Sequence, residues 1–235
     1  MKKKRKMKRK FFTLTEMLVV IAIIAILSAL VTAAVIRARA GARTTRCVSN
    51  QGQTIKLILA AMNSSDSKIT NGDADGKRYT DWLRDKNLIS TLEAVRCPEL
   101  NYSAKPEEIN TNGALKEAYG MVISEAADKK FNFKNNKLLK STVDIPRNNM
   151  LMGGDCIEWK SNAATSYKNA AARAALDFDK NRLAAIHSGN VVNLFFLDGS
   201  VSSLTADEFK SKTFHYPKAD CSGAAEVNTG KIVTQ

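Results

Sequence analysis

Few residues of this sequence have the type and spacing that catalysis or metal binding requires. The chain contains two histidines, His187 and His215, and neither has a cysteine or a carboxylate at metal-ligand spacing beside it. A serine nucleophile on a strand-to-helix turn would be expected in a Gly-x-Ser-x-Gly segment, and the sequence has none. We therefore predict that the protein is not an enzyme, that it holds no metal, and that His187 stabilises a turn with Ser188 and Gly189.

Residues 71–76, Asn-Gly-Asp-Ala-Asp-Gly, copy the first half of an EF-hand calcium loop. Oxygen ligands occur at alternate positions and glycine is at the sixth. The twelfth position, which needs a glutamate with two oxygens on the ion, is Trp82. This segment is therefore predicted to be a solvated loop.

Four cysteines are spread along the chain: Cys47, Cys97, Cys156 and Cys221. None belongs to a Cys-x-x-Cys pair, the spacing typical of zinc sites and redox enzymes. Disulfides are the better interpretation for an exported protein. The residues by themselves leave all three possible pairings open.

The start of the chain carries a basic cluster followed by an apolar segment. Eight of the +13 formal charges precede Phe11, which leaves +5 for the remainder. This remainder contains no arginine stripe interleaved with aromatic residues, so we predict no specific nucleic-acid partner. Twenty residues, 17–36, form an apolar block long enough to cross a bilayer core of roughly 30 Å as a helix. The basic cluster predicts a cytoplasmic N-terminus and an exported C-terminal domain.

Glu16 distinguishes this segment from an ordinary secretory signal peptide. A signal peptide gains nothing from a carboxylate at the edge of its apolar block, and an ionisable group in a membrane segment usually has a partner. We therefore expect a cation to meet Glu16. The alternatives are a cleaved signal peptide, with the mature chain starting after Ala33, and a permanent tether.

The segment KFFTLTEMLVVIAIIAIL, residues 10–27, resembles the N-terminus of type IV prepilins and pseudopilins. That resemblance implies cleavage by a prepilin peptidase between Phe11 and Phe12 and N-methylation of Phe12. It assigns Glu16 to subunit assembly, as the partner of a neighbouring subunit's Phe12 amine. Phe11 departs from the family, which has glycine before the cut. This departure favours an uncut, anchored form as an alternative.

The resemblance also implies where the protein acts. The expected function is that of a structural subunit of a type II secretion or type IV pilus system, assembled into a helical fibre. Expected partners are other pilin-like subunits, identical or different, the prepilin peptidase, the inner-membrane assembly platform and the lipid bilayer. The expected location is the inner membrane, with a single span and a periplasmic C-terminal domain, and then the fibre. The alternative is an exported binding protein that is tethered and does not polymerise.

Weaker family motifs follow along the chain. Pseudopilin-like proteins with a processing-associated C-terminal motif have a Cys-x-x-Asn segment, a later Cys-Pro and a histidine nine residues before Asp-Gly. These correspond to Cys47 with Asn50, to Cys97-Pro98, and to His187 with Asp198-Gly199, where ten residues intervene. The resemblance implies a Cys47–Cys97 disulfide. Cys156 and Cys221 are predicted to be disulfide cysteines too.

Some major pseudopilins hold calcium in a C-terminal loop. By that resemblance, calcium bound through Asp177, Asp179 or Asp198 is the alternative to our prediction of no cofactor.

The predicted fold class is α+β, with a long N-terminal helix packed on a small antiparallel sheet. The predicted parts are a leader at 1–11, a transmembrane half-helix at 12–36, an exported half-helix at 37–62 and a globular domain at 63–235. The helix spans about 13–62, with Val48, Ile55, Leu59 and Met62 on one face. Asp81 is expected to cap a second helix that runs to Pro98, and residues 162–176 are expected to be helical. The β predictions are 119–123, 131–133, 150–152 and a hairpin of 191–197 and 200–204 around Asp198-Gly199.

Overall fold

The structure is a computed structural model of the chain. It describes residues 12–64, 68–69, 78–100, 102–110, 115–122, 131–134, 137–138, 147–158, 175–176, 181–217, 224–226 and 232–233. The chain divides into two compact units, Met1–Gly41 and Ala42–Gln235.

The described helices are α1 (Leu14–Ser64), α2 (Tyr79–Asp85) and α3 (Ala206–Ser211), with single 3₁₀ turns at Glu93–Val95 and Arg147–Asn149. The strands are short and most of them lie in the second half of the chain. They are β1 (Lys68–Ile69), β2 (Gly120–Val122), β3 (Phe131–Lys134), β4 (Lys137–Leu138), β5 (Leu151–Gly154), β6 (Cys156–Glu158), β7 (Ala175–Leu176), β8 (Asn181–Ala184), β9 (Val191–Phe196), β10 (Val201–Thr205), β11 (His215–Pro217), β12 (Ala224–Glu226) and β13 (Ile232–Val233).

Helix α1 is continuous over 51 residues, close to the predicted 13–62. From residue 42 onward it belongs to the second unit, where Cys47, Gln51, Thr54, Ile55 and Ile58 are buried. The predicted apolar face was therefore only partly right: Ile55 is buried, Val48 and Leu59 are half-buried, and the side chain of Met62 lies outside the described part. The hydrophobic spacing did not identify this face because two of its buried residues, Gln51 and Thr54, are polar and make side-chain hydrogen bonds.

The central sheet has the order β10-β9-β5-β2-β7. Neighbouring strands from β10 to β2 are antiparallel, and β7 joins the β2 edge in parallel. The buried residues of these strands, Val192, Leu194 and Phe196 among them, share one apolar core with Ile55 and Ile58 of helix α1. The α+β arrangement with a small antiparallel sheet is thereby confirmed.

Two helix predictions need correction. Asp81 is not the N-cap of α2: it is the third helical residue, and its carboxylate accepts a hydrogen bond from the backbone N–H of Arg78, at 2.8 Å. The helix also ends at Asp85, far before Pro98. Asn87 takes a left-handed conformation, with φ of 54°, and the N–H groups of Asn87 and Leu88 bond back to the carbonyls of Arg84 and Leu83. This is a Schellman termination, which asparagine can support.

The alanine-rich segment 162–176 was predicted as helix, yet its end, Ala175–Leu176, is strand β7. It pairs with Met121 and Val122 of β2, and Leu176 is fully buried. Pairing and burial therefore outweigh the local helix propensity of alanine. Residues 162–174 lie outside the described part of the chain.

The predicted hairpin is present as β9 and β10, but its turn is longer than expected. Phe195 pairs with Val201, and the Phe196 N–H donates to the Ser200 carbonyl, which leaves Leu197, Asp198 and Gly199 as the loop. Only Gly199 has a positive φ in this loop, at 88°. A three-residue loop that ends in a left-handed residue is the next commonest hairpin connection after the two-residue turn.

Gly199→Ala is expected to destabilise the protein by about 1–2 kcal/mol, because alanine is disfavoured in the left-handed region. Its Cβ would also lie 3.4 Å from Cδ1 of Leu59. Gly199→Asn is the matched control, since asparagine tolerates this conformation better. Urea unfolding of the full-length chain in detergent measures the difference. Equal midpoints for the alanine variant and the wild type would contradict the prediction.

Candidate functional site

Four titratable side chains meet inside the second unit: Cys47, Cys97, Asp155 and His187. Their potential ligand atoms all lie within 4.8 Å of one another. At most 1% of each residue is exposed to solvent. We call this group the Cys–Asp–His cluster.

The four residues come from four different elements. Cys47 lies on helix α1, and Cys97 follows the 3₁₀ turn Glu93–Val95. Asp155 occupies the corner between β5 and β6, and His187 lies between β8 and β9. Only the tertiary fold brings them together, since the shortest interval between consecutive members along the chain is 32 residues, from Asp155 to His187.

Asp155 is the centre of the cluster. Its Oδ1 accepts hydrogen bonds from the Cys47 thiol at 3.2 Å and from Nε2 of Gln51 at 3.0 Å. Its Oδ2 lies 3.2 Å from Nε2 of His187 and accepts from the backbone N–H of Asn193 at 2.9 Å. Both carboxylate oxygens therefore have fixed directions.

The same corner is fixed through its backbone. The Asp155 N–H donates to the carbonyl of Asn193 at 3.1 Å, and its carbonyl accepts from the N–H of Ala184 at 2.9 Å. Strands β9 and β8 thus hold Asp155 from both sides, which sets the position of its carboxylate without a mobile loop.

His187 presents its two ring nitrogens to different partners. Nε2 faces Asp155 and also lies 3.6 Å from Sγ of Cys97. Nδ1 lies 3.3 Å from the Thr44 hydroxyl. The backbone of His187 closes the turn before β9 through two hydrogen bonds with Val191, at 3.1 and 3.3 Å. The predicted turn role is therefore carried by the backbone, while the side chain enters the cluster.

The turn that carries Cys97 is held against helix α1 by polar side chains. Asn50 donates to the carbonyls of Glu93 and Arg96, at 2.9 and 3.1 Å, and the Thr54 hydroxyl donates to the carbonyl of Ala94 at 2.9 Å. Asn50 is the last residue of the Cys-x-x-Asn segment. Its role in the structure is thus to place Cys97 opposite Cys47.

Tyrosines close the cluster on the Cys97 side. The Tyr119 hydroxyl donates to the carbonyl of Arg96 at 2.8 Å and lies 3.4 Å from Sγ of Cys47. The Tyr102 hydroxyl accepts from the Cys97 N–H at 2.7 Å and donates to the Cys97 carbonyl at 3.0 Å. These contacts give the two sulfur atoms a rigid surrounding.

The pKa values of His187 and Cys97 are shifted by burial and by their neighbours in the cluster. Burial by itself would lower the pKa of His187, but its hydrogen bonds and charge interactions with Asp155 and Cys47 raise that pKa to about 10. Burial raises the pKa of Cys97 well above its usual value, and Cys47 and Asp155 raise it further. Asp155 and Cys47 thus stabilise the charged form of His187.

A buried ion pair supports the Cys97 segment. Nη2 of Arg96 lies 3.5 Å from the Glu117 carboxylate, and the guanidinium also donates to the carbonyls of Glu117 and Ala104, at 2.9 and 2.7 Å. Its centre lies 4.4 Å from the centroid of the Tyr102 ring. The Arg96 side chain therefore holds Ala104 and Glu117, two separate parts of the chain after Cys97, close to each other.

Arg96→Ala is expected to lower the free energy of unfolding by about 3 kcal/mol or more, because it leaves the buried Glu117 carboxylate without its cation. Arg46→Ala is the control. Arg46 pairs with Glu93 at 3.5 Å, both side chains are well exposed, and such surface pairs are worth about 0–1 kcal/mol. Urea unfolding of the full-length chain measures both. Similar midpoints for the two variants would contradict the prediction.

The N-terminal motif forms a second candidate site. Helix α1 begins at Leu14, so Thr13 is its N-cap and Glu16 its third residue. The Thr13 hydroxyl accepts from the Glu16 N–H at 3.2 Å, and the Glu16 carboxylate accepts from the Thr13 N–H at 2.8 Å. This is a capping box. The Thr-x-x-Glu spacing of a capping box is visible in the sequence. The prediction for Glu16 was based only on its charge and therefore did not include its capping role.

Residues 12–36 differ from the rest of the described chain. The large apolar side chains that the described residues expose all lie between Phe12 and Ile36, and Phe12 itself is 75% exposed. Helix α1 is long and apolar enough to cross a membrane, with a mean hydropathy of 3.0 in its most apolar window and none of that window buried. A lipid environment would remove this apolar surface from water.

Comparison with known families bears on this segment. Residues 8–32 match the family model described as the prokaryotic N-terminal methylation motif. The protein has a prepilin-type N-terminus. Followed by the long apolar helix, this motif fits a type IV pilin or pseudopilin. No curated protein and no solved structure matches the chain.

Outside that N-terminal motif, the structure contains both Cys47 and Cys97 as free thiols. The structure thus brings the two cysteines together, as the predicted disulfide requires, but without the bond between them. Each sulfur has a polar partner instead, Asp155 for Cys47 and His187 for Cys97. The conclusion that no cysteine or carboxylate accompanies His187 holds along the sequence and fails in three dimensions. Asp155 was missed altogether, because no spacing rule connects it to the other three.

The remaining predicted sites have varied outcomes. Asp198 accepts hydrogen bonds from the N–H and the hydroxyl of Ser200, at 2.9 and 2.6 Å, so it stabilises the hairpin turn. Cys156 is buried, and its pairing with Cys221 stays a prediction. Phe11, residues 71–76, Asp177, Asp179 and Cys221 lie outside the described residues.

Proposed function

We propose that this chain is a structural pilin-like subunit of a type II secretion or type IV pilus system, made as a membrane-anchored precursor and assembled into a helical fibre. The observation that carries the proposal is the methylation motif at residues 8–32, continued by a helix whose apolar surface is exposed. The proteins that carry this motif are structural, which supports assembly rather than catalysis.

Processing is the first step of the proposal. A prepilin peptidase cuts between Phe11 and Phe12, which removes eight positive charges, and the new amine of Phe12 is methylated. The basic leader holds the N-terminus on the cytoplasmic side until then, so the domain that follows the anchor is periplasmic. After the cut the helix has a single ammonium group at its start.

Assembly uses that ammonium. Glu16 lies on a helix surrounded by lipid before assembly and by other helices afterwards, where an unpaired carboxylate is unfavourable. The Phe12 ammonium of a neighbouring subunit neutralises it and fixes the axial register of the two helices. An inner-membrane assembly platform moves subunits, identical or different, from the bilayer into the fibre.

The capping box gives Glu16 a role before assembly. In the isolated subunit its carboxylate bonds to Thr13, so the helix N-terminus is satisfied without a partner. The carboxylate keeps its charge in this arrangement, and a second acceptor oxygen remains for a neighbouring amine. Capping and pairing are therefore compatible on one side chain.

A second candidate function is favoured by Phe11, which occupies the position before the cut where the family has glycine. A bulky residue there fits the peptidase poorly. The chain would then remain in the membrane as a tethered binding protein that does not polymerise.

Peptide mass spectrometry of the N-terminus, on protein from native membranes, distinguishes the two functions. Pilin-like assembly requires a chain that starts at N-methylated Phe12. A chain that keeps residues 1–11 would support the tether, and a start after Ala33 would overturn both. Phe11→Gly is the matched variant, since it restores the family residue and should increase cleavage if Phe11 slows it.

A further inference from the structure

The geometry of the Cys–Asp–His cluster points to a buried zinc site, which we propose as a structural centre of the globular domain. Cys47, Cys97, Asp155 and His187 are its ligands. This inference is independent of the proposed function, because it concerns the second unit alone and needs neither processing nor assembly.

The donor set fits zinc. Thiolate, imidazole and carboxylate are the three protein ligands of Zn²⁺, and structural zinc sites have four of them in a tetrahedron. The cluster offers two sulfur atoms, one nitrogen and one oxygen, a mixture of soft and hard ligands that suits Zn²⁺. Calcium and magnesium instead prefer ligand shells made of oxygen atoms alone. The calcium considered from the sequence therefore has no match in this cluster.

The spacing fits as well. Bonds of about 2.0–2.3 Å to a tetrahedral zinc separate neighbouring donor atoms by about 3.3–3.8 Å. The measured separations are 3.2 Å from Cys47 Sγ to Asp155 Oδ1, 3.2 Å from Asp155 Oδ2 to His187 Nε2, and 3.6 Å from His187 Nε2 to Cys97 Sγ. The ligand atoms of all four residues lie within 4.8 Å of one another, so an ion between them requires side-chain shifts of up to about 1 Å toward a common centre.

Groups behind the ligands hold them in ligating orientations. A zinc-bound histidine usually donates its other N–H to an oxygen, which fixes the tautomer. Here Nδ1 of His187 faces the Thr44 hydroxyl at 3.3 Å, which leaves Nε2 for the ion. Asp155 is held by Gln51 and by the Asn193 N–H, and Tyr119 lies beside the Cys47 sulfur.

Burial decides between a structural and a catalytic centre. Catalytic zinc keeps one position open for water or substrate, whereas structural zinc is closed by four protein ligands. All four residues of this cluster are buried, with at most 1% exposed. The ion would therefore join helix α1, the Cys97 turn, the β5–β6 corner and the turn before β9, and it would perform no chemistry on a substrate.

The Asp155 carboxylate is fully buried, and in the described part of the chain the basic group that faces it is the His187 ring, at 3.2 Å. Buried charges in proteins are either paired or bound to a metal ion. An ion in this cluster would take the place of the direct Asp155–His187 contact and bind both side chains.

Metal analysis tests the proposal on the full-length protein, purified in detergent under reducing conditions without chelator. The expected result is one zinc per chain. Cys97→Ser and His187→Gln should lose it, while His215→Gln, which changes the other histidine, should keep it. Zinc retained by both ligand variants would overturn the assignment.

Cobalt substitution of the wild-type chain gives a second readout that needs no variant to fold. Tetrahedral Co²⁺ with two cysteine ligands should show intense visible bands and a thiolate-to-metal charge-transfer band. Failure of the reduced protein to take up zinc or cobalt would overturn the proposal. A Cys47–Cys97 disulfide in protein from native membranes, together with that failure, would identify the pair as a structural crosslink instead.

Discussion

Glu16→Gln is expected to abolish fibre assembly while the helix N-terminus stays capped. Glutamine can accept the same hydrogen bond from the Thr13 N–H, so the capping box survives. It has no charge to offer a neighbouring Phe12 ammonium, which would then remain unpaired among apolar helices. We expect assembled fibre to fall below about a tenth of the wild-type amount, because a buried charge without its partner is strongly unfavourable. Immunoblotting of sheared surface or pseudopilus fractions measures it.

Thr13→Ala is the matched control for this experiment. It removes the capping hydroxyl and leaves the Glu16 carboxylate, so assembly should continue with a less stable helix end. The opposite pattern, normal fibres with Glu16→Gln and none with Thr13→Ala, would mean that Glu16 acts through capping. A third outcome is that the wild type itself forms no fibre, although the wild type and both variants reach the membrane in normal amounts. That outcome would support the tethered protein.

Gly153→Ala is expected to have the largest effect on the stability of the globular domain. A Cβ at Gly153 would lie 1.9 Å from the carbonyl oxygen of Gly120 and 2.4 Å from Cζ of Phe195. Gly120 and Gly153 belong to the adjacent strands β2 and β5, so relief requires those strands to separate. Overpacking of a core typically lowers the free energy of unfolding by about 1–3 kcal/mol. We expect Gly153→Ala to lower it by about 3 kcal/mol or more, because the new Cβ would clash with backbone atoms, which cannot rotate away.

Gly52→Ala provides the control, because it makes the same chemical change within helix α1. The nearest atom to its new Cβ would be Cγ2 of Val201 at 3.8 Å, an ordinary contact. Alanine in a helix interior is favoured over glycine by about 1 kcal/mol, so this variant should be slightly more stable. Denaturant unfolding of the full-length chain in detergent compares the two. A wild-type midpoint for Gly153→Ala would show that β2 and β5 do not approach as closely as the structure has them.

The glycines at 153 and 154 also affect the position of Asp155 in the Cys–Asp–His cluster. The Gly153-Gly154 pair precedes Asp155, and a Cβ at Gly154 would lie 2.5 Å from the carbonyl oxygen of Asn193. The close approach of β5 to β9 at this point lets the Asp155 carboxylate reach both the Asn193 N–H and His187. Loss of bound zinc from Gly153→Ala would therefore accompany its loss of stability.

The sequence by itself determined the N-terminal segment, residues 1–36. A basic cluster, Glu16 and a twenty-residue apolar block act through local physical effects, namely charge, hydropathy and helix length. These effects need no distant partner, so the membrane helix and the prepilin-type motif could be recognised from one segment. The β9–β10 hairpin was predictable for the same reason, because Asp-Gly between two β-forming runs is a local turn signal.

Only the tertiary structure decided the interior of the globular domain. The end of α2 at Asn87 and the strand at Ala175–Leu176 depended on contacts that outweigh local propensity. Above all, Cys47, Cys97, Asp155 and His187 are separated along the chain by at least 32 residues and meet within 4.8 Å. Spacing rules detect ligands that share one loop or helix, so a site assembled from four elements leaves no such signal. Its position was set by the packing of helix α1 on the β9–β5 sheet, which buries the four side chains together.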